Sequence, residues 1–310
     1  MVGESGCGKT VLFEAIRQLN LIARGGSAAA TYGIWSEVAV SELAVVIDLP
    51  DGRLATYEVR VHQIGLVASV ISECLFVGRT KFLWREGQEF VFAQDGLRRD
   101  LSGHQRYSIR ASEFALGAVR VEGAKDPIAD MKGHLLYAWT LSPDPNVMTS
   151  VLDQAIPRDD VACRCLASYF VARQQMLPEL YGAVLANVTG NFPSISGFSV
   201  ETDNFGGRYL AVHRSDDSTL RGMPIESLSQ GEKIFLLAAF VSAVNRLSGP
   251  LICFWDSPLN WLGKSAGARL AQLLYRSFRA QGQVVVFSSE RDEIKWMSKT
   301  VRIDNVRTKV

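Results

Sequence analysis

Gly3-Glu4-Ser5-Gly6-Cys7-Gly8-Lys9-Thr10 is the stretch on which the reading of this chain turns. It has the form Gly-x4-Gly-Lys-Thr, in which glycines let consecutive backbone amides turn inward around a phosphate oxyanion. Val11, Leu12, Ala15, Ile16 and Leu19 follow at three- and four-residue spacing and predict a helix that ends near Gly25-Gly26. That helix would aim its N-terminal dipole at the phosphate, Lys9 would supply a point charge, and the Thr10 hydroxyl would serve as a magnesium ligand. A chance glycine-rich turn is the alternative; the placement directly before an amphipathic helix favours the phosphate loop. Such a loop normally follows a buried strand, and here Met1 and Val2 precede Gly3. The pattern therefore expects residues upstream, or another segment in that place of the sheet.

Two further stretches extend the reading. In Ser227-Leu228-Ser229-Gln230-Gly231-Glu232-Lys233, Ser229 and Glu232 have the spacing of a capping box ahead of a strongly apolar helix. Taken alone, this is as well read as a capped core helix. The apolar run Leu251-Ile252-Cys253-Phe254-Trp255 then ends in Asp256, followed by Ser257-Pro258. An acidic residue at the carboxyl end of a buried strand commonly reaches a magnesium shell. Three elements in this order are far more specific than any one of them.

Between these landmarks the texture changes. Alternating residues from about Ser36 to Phe92 predict an antiparallel meander: Glu37–Leu49, a turn at Pro50-Asp51-Gly52-Arg53, Leu54–His62, and shorter strands around Leu75–Val77, Lys81–Trp84 and Glu89–Phe92. The stretch 95–157 gives no clear periodicity. From Asp160 to about Val188 the pattern is helical, in two pieces because Pro178 interrupts the hydrogen-bond ladder. Strands are expected at Gly197–Thr202 and Tyr209–His213. The remainder, with helix Glu232–Leu247, strand Leu251–Trp255, helix Ser265–Phe278, strand Gln283–Phe287 and a last strand near Thr300–Ile303, reads as a parallel α/β unit.

Composition narrows the class. The chain has 310 residues, 47% of them hydrophobic, enough for one large domain with a subdomain. It shows neither an apolar run of about 18 residues nor a secretory leader, so a cytoplasmic protein without a membrane span is expected. A net charge of +1 gives no bulk attraction to nucleic acid. Arg79, Lys81, Arg85, Arg98, Arg99, Arg106 and Arg110 cluster, but Glu86, Glu89, Asp95 and Asp100 interleave with them, which reads as a solvated mixed-charge surface rather than a DNA groove. Cys7, Cys74, Cys163, Cys165 and Cys253 lack zinc-site spacing and are expected to be inert thiols. His62, His104, His134 and His213 are scattered, and Trp255 is read as core packing in preference to an adenine stack.

Leu228-Ser229-Gln230-Gly231-Glu232 resembles the ABC signature, and Asp256-Ser257-Pro258-Leu259-Asn260-Trp261-Leu262 resembles the Walker B and D-loop segment, with the Gly3–Thr10 loop as Walker A. The long β-rich insert, Met223-Pro224-Ile225-Glu226 leading into the signature, and Gln283-Val284-Val285-Val286-Phe287-Ser288-Ser289 are similar to the AAA-type predicted ATPases related to RecF, the OLD nucleases and SMC heads. The resemblance covers roughly the first ninety and last hundred and thirty residues. It implies an α/β P-loop NTPase with an ABC-ATPase-like head over 1–310. Within it, 1–35 would carry the phosphate loop and first helix, 36–93 an antiparallel β subdomain, 94–220 an insert that becomes helical before the signature, and 221–310 the signature, Walker B and C-terminal α/β part. ATP and Mg2+ are the implied cofactors, held by Gly3 to Thr10, with Lys9 and Asp256 as the reactive-site residues and Thr10 and Asp256 on the metal.

The same resemblance implies a homodimer formed on ATP binding, in which Ser229 and Gly231 of one copy meet the γ phosphate bound by the other. Ser257 stands where such ATPases carry a catalytic glutamate, and Ser289 where they carry a switch histidine. The expectation is therefore ATP binding with slow hydrolysis, unless Glu4, Glu290 or Asp292 reaches the site. The implied role is a nucleotide-dependent switch acting on a partner effector such as a nuclease, in DNA maintenance or anti-phage defence. An active DNA-stimulated ATPase is the alternative. A transporter subunit fits less well, because well over two hundred residues separate the loop from the signature and the insert is β-rich where a compact helical subdomain would be expected; a degenerate remnant that binds no nucleotide is the remaining reading.

Overall fold

The computed structural model describes residues 9–28, 40–49, 51–64, 67–120, 126–152, 160–215, 221–249, 251–279 and 282–288. They fall into two compact units. One takes residues 11–138, the other Lys9 and Thr10 together with 139–288.

Helix α1 runs Lys9–Ala23. Its buried face differs from the apolar stripe read in the sequence: of that stripe Leu19 is buried, alongside Phe13, Ile22 and Ala23 and the polar Arg17, Gln18 and Asn20. Hydrogen bonds explain how Arg17 and Asn20 enter this face. Arg17 Nε donates to Glu14 Oε2 at 2.8 Å, and Asn20 Nδ2 donates to the carbonyls of Leu135 (2.6 Å) and Ala138 (2.8 Å).

In the 11–138 unit six antiparallel strands lie in sequence order: β1 Val40–Asp48, β2 Leu54–Ile64, β3 Val67–Val77, β4 Thr80–Glu86, β5 Glu89–Phe92 and β6 Tyr107–Ser108. The meander thus extends past residue 93. Strand β3 is far longer than the sequence suggested, because its alternation changes phase midway. Arg60 faces Ser72 while Val61 faces Val70, so Ile71 is an extra residue. The bulge lets Ala68 and Val70 on one side of it, and Glu73, Leu75 and Val77 on the other, all face the core.

That core holds a charged centre. Glu73 and Arg85, 3.2 Å apart, have fully buried side chains. Glu73 also accepts from Tyr57 Oη (2.7 Å) and from the amides of Ala115 (2.6 Å) and Leu116 (3.1 Å), which open the short helix α2, Ala115–Ala118. Arg85 donates to the carbonyls of Gly87 (2.7 Å), Arg110 (3.1 Å) and Glu113. Full pairing is what makes two buried charges tolerable. Helix α3, Pro127–Leu136, is capped by Asp126, whose carboxylate accepts from Ile128 N at 2.7 Å, with Pro127 in the first turn.

The second unit contains two small sheets. Strands β7 (Ala138–Leu141), β11 (Ile252–Asp256) and β12 (Gln283–Phe287) form one in the order β12-β11-β7, with β11 and β12 parallel; the first residue of β7 groups with the other unit. Strands β8 (Ile195–Thr202), β9 (Arg208–Arg214) and β10 (Met223–Pro224) form the other, antiparallel. Helices α4 (Leu166–Met176) and α5 (Leu180–Thr189) part at Pro178, as the sequence predicts. The helical run begins later than Asp160 because that side chain closes a turn, accepting from the amides of Arg164 (3.0 Å) and Cys165 (2.7 Å), with Cys163 at φ 58°. Helix α6, Gln230–Ser248, is buried along most of its length and packs with α5 and with α7, Lys264–Phe278. The strand expected near Thr300–Ile303 lies outside the described residues.

Candidate functional site

Lys9 and Thr10 form the first turn of α1, which carries no acidic side chain, so nothing there opposes the positive end of the helix dipole. Gly3, Glu4, Ser5, Gly6, Cys7 and Gly8 lie outside the described residues, as do Ser289, Glu290 and Asp292.

The start of α6 is built as its sequence spacing predicts. Ser229 is the N-cap: its Oγ accepts from Glu232 N at 3.3 Å, and Glu232 Oε2 accepts from Ser229 N and Ser229 Oγ, each at 2.8 Å. Ser229 and Gln230 are exposed, while Glu232 is buried. Gly231 sits where a Cβ would come 3.2 Å from Leu262 Cδ2, so a side chain there would press on the segment that follows the acidic strand.

Asp256 ends β11 at the carboxyl edge of the parallel pair, half-buried. Ser257 adopts the left-handed conformation (φ 47°, ψ 43°), which L residues rarely take. Three bonds hold it: Ser257 N donates to Phe287 O on β12 and Ser257 Oγ donates to Asp256 Oδ1, both at 3.0 Å, and Ser257 O accepts from Asn260 N at 3.2 Å. The hydroxyl at the usual glutamate position is thus engaged with the metal-ligand candidate. Magnesium takes one or two protein carboxylates and completes its shell with water and phosphate oxygens. Asp256 Oδ2 and the Thr10 hydroxyl are a donor set of that type. Among the described residues no cluster of three or more His, Cys, Asp or Glu offers another metal site.

The loop leaving β7 is a neighbour of this site that sequence reading missed. Lys233 Nζ donates to Pro145 O (2.9 Å), Gln230 Nε2 to Asn146 Oδ1 (3.0 Å) and Ser150 N to Glu226 Oε1 (2.9 Å). These bonds clasp residues 145–150 to the signature segment, and β7 itself pairs in the sheet with β11. The one local signal was the Asp144-Pro145-Asn146 turn, in which Asp144 Oδ1 accepts from Asn146 N at 3.0 Å.

Other candidates resolve plainly. Trp255 is fully buried in the core and is not presented to a nucleotide. Cys163 and Cys253 are buried thiols whose pKa is pushed well up by desolvation, and burial raises Cys74 and Cys165 as well. Of the basic cluster, Arg106 pairs with Glu89 at 2.8 Å and Arg110 lies 3.8 Å from Glu113, both exposed and in keeping with a mixed-charge surface, whereas Arg85 departs from that expectation: it is fully buried, because its charge is met by Glu73 in the core. Among the described residues no helix is long and apolar enough to cross a membrane.

No protein-family model matches the chain, and neither does any curated protein. Solved structures do. An SMC head bound to the C-winged helix domain of ScpA is 15% identical, with a TM-score of 0.51 over 95% of this chain and 82% of the other. An SMC head with an extended coiled coil, bound to the C-terminal domain of ScpA and derived from Pyrococcus furiosus, is 16% identical over 94% of this chain and 83% of its own, at a TM-score of 0.48. The SMC head domain from Thermotoga maritima is 12% identical over 96% and 82%, at 0.42. The first of these likenesses shows the fold: a mixed α/β chain built like an SMC head domain.

Proposed function

We propose that this SMC-head-like chain is an ATP-binding head, one domain over 1–310, that pairs with a second copy when nucleotide is bound. The observation that carries the reading is the exposed, capped start of α6 at Ser229 in the same unit as the Asp256 strand end, Lys9 and Thr10. Lys9 would place its ammonium against the β and γ phosphates, with the amides of Gly3 to Gly8 around them. Thr10 and Asp256 would hold Mg2+, which when bound neutralises charge on the phosphate oxygens. Ser229 and Gly231 would offer a hydroxyl, amides and the helix dipole to the γ phosphate bound by the second copy.

Hydrolysis would be slow. Ser257 cannot take a proton from water at neutral pH, and its hydroxyl is already donated to Asp256. A head that binds and closes without rapid turnover suits a switch, and the partner it controls would be an effector protein such as a nuclease, in DNA maintenance or defence. The similar SMC head was solved bound to a domain of another protein, the C-winged helix domain of ScpA.

Light scattering coupled to gel filtration, with and without Mg-ATP, tests this on the wild type and on Lys9→Ala. A nucleotide-dependent doubling of mass that the variant lacks is the expected result. Absence of both a shift and bound nucleotide in a folded chain would sink the reading. Rapid turnover stimulated by DNA and abolished by Lys9→Ala would replace the switch by an active DNA-dependent ATPase.

A further inference from the structure

Glu232 puts a negative charge where the proposed site must receive an anion. Its side chain is about nine-tenths buried beneath the first turn of α6, and its Oε2 accepts the proton of the Ser229 hydroxyl at 2.8 Å. A triphosphate arriving at Ser229 would meet this carboxylate, and the hydroxyl meant for it points the other way. Lys233, next in sequence, directs its ammonium to the Pro145 carbonyl at 2.9 Å and makes no ion pair with this carboxylate. Arg214 does. It stands at the end of β9 and reaches across to α6, its Nη2 donating to Glu232 Oε1 at 2.8 Å.

We propose that Arg214 is the positioning residue of the signature site: it cancels the charge of Glu232, so that a phosphate can approach and the Ser229 hydroxyl can turn from the carboxylate to that phosphate. The inference rests on the head-to-head reading above. Two carboxylate oxygens divide the work, Oε1 facing the guanidinium and Oε2 the N-cap. A carboxylate whose charge is shared with Arg214 holds the serine proton less tightly than a bare one. Arg214 need not touch nucleotide to do this; it acts through Glu232. Nothing in the spacing of the sequence marks it, because Arg214 and Glu232 meet only through the packing of β9 beside α6.

The test compares wild type, Arg214→Gln, Glu232→Gln and the double variant. Each is measured for melting temperature, for Mg-ATP affinity as a dilute monomer, and for the ATP concentration at half-maximal dimer. Arg214→Gln should raise that concentration by about tenfold, the scale of one charge-assisted hydrogen bond, with monomer affinity unchanged. Glu232→Gln in the same chain should bring it back to within about threefold of wild type, because the charge to be cancelled is gone. A merely structural role would move melting temperature and monomer affinity together. If Arg214→Gln melts too early to compare, the double variant decides: a tenfold defect there overturns the proposal. So does an Arg214→Gln protein that dimerises like wild type, or a double variant no better than the single. A wild type that fails to dimerise overturns the underlying head-to-head reading, and this inference with it.

Discussion

Ser257 shows how much one side chain decides. It is held at φ 47° with its hydroxyl on Asp256 Oδ1, and in the proposed ATP site it would leave the attacking water without a base. Ser257→Glu is expected to raise ATP turnover by about 10²- to 10⁴-fold, the usual worth of general-base assistance, as read by phosphate release. Ser257→Gly should relieve the left-handed strain and add up to about 1 kcal/mol of stability in a denaturant titration, because glycine adopts that conformation without a Cβ clash. The replacement of the usual glutamate was visible in the sequence; the strained backbone and the bond to Asp256 were not, since both depend on β12 lying beside β11. Cys163 and Cys253 make a second residue-scale case. Buried, with their thiolates disfavoured, they should resist a thiol reagent in the native protein and label on unfolding, as peptide mapping by mass spectrometry would show.

Among the elements, α6 and β3 were legible to different degrees. The Ser229–Glu232 spacing predicted the start of α6, because a capping box is a local interaction that four consecutive residues contain. Ser229→Ala should cost about 1 kcal/mol in thermal or chemical unfolding and should also weaken ATP-driven pairing. Strand β3 was read as a fragment around Leu75–Val77, because the bulge at Ile71 and the core-facing Glu73 break the alternation on which strand reading depends. Glu73 is explicable only with Arg85, Tyr57 and the amides of α2 in view. Glu73→Leu should destabilise the chain by about 3–5 kcal/mol, since it strands Arg85 as a buried charge, and a lowered denaturation midpoint would show it. Helix α1 teaches the same point: Gln18 and Asn20 are buried although their chemistry reads as surface.

For the whole molecule, the proposed consequence is a mass that doubles with Mg-ATP, and a turnover that stays slow until a base is restored at residue 257. What the sequence by itself determined is local and ordered: the Gly-x4-Gly-Lys-Thr pattern, the capping box, the acidic strand end, the parallel β11–α7–β12 unit and the helix break at Pro178. Each is a short-range pattern, set by backbone conformation or by the repeat of side chains along one element. What only the tertiary structure decided is pairing between distant segments. It set the order β12-β11-β7, the 145–150 loop clasped to the signature, the buried Glu73–Arg85 centre, and Arg214 against Glu232. Burial and charge compensation depend on which elements pack together, and a polar residue looks the same in sequence whether water or a buried partner satisfies it.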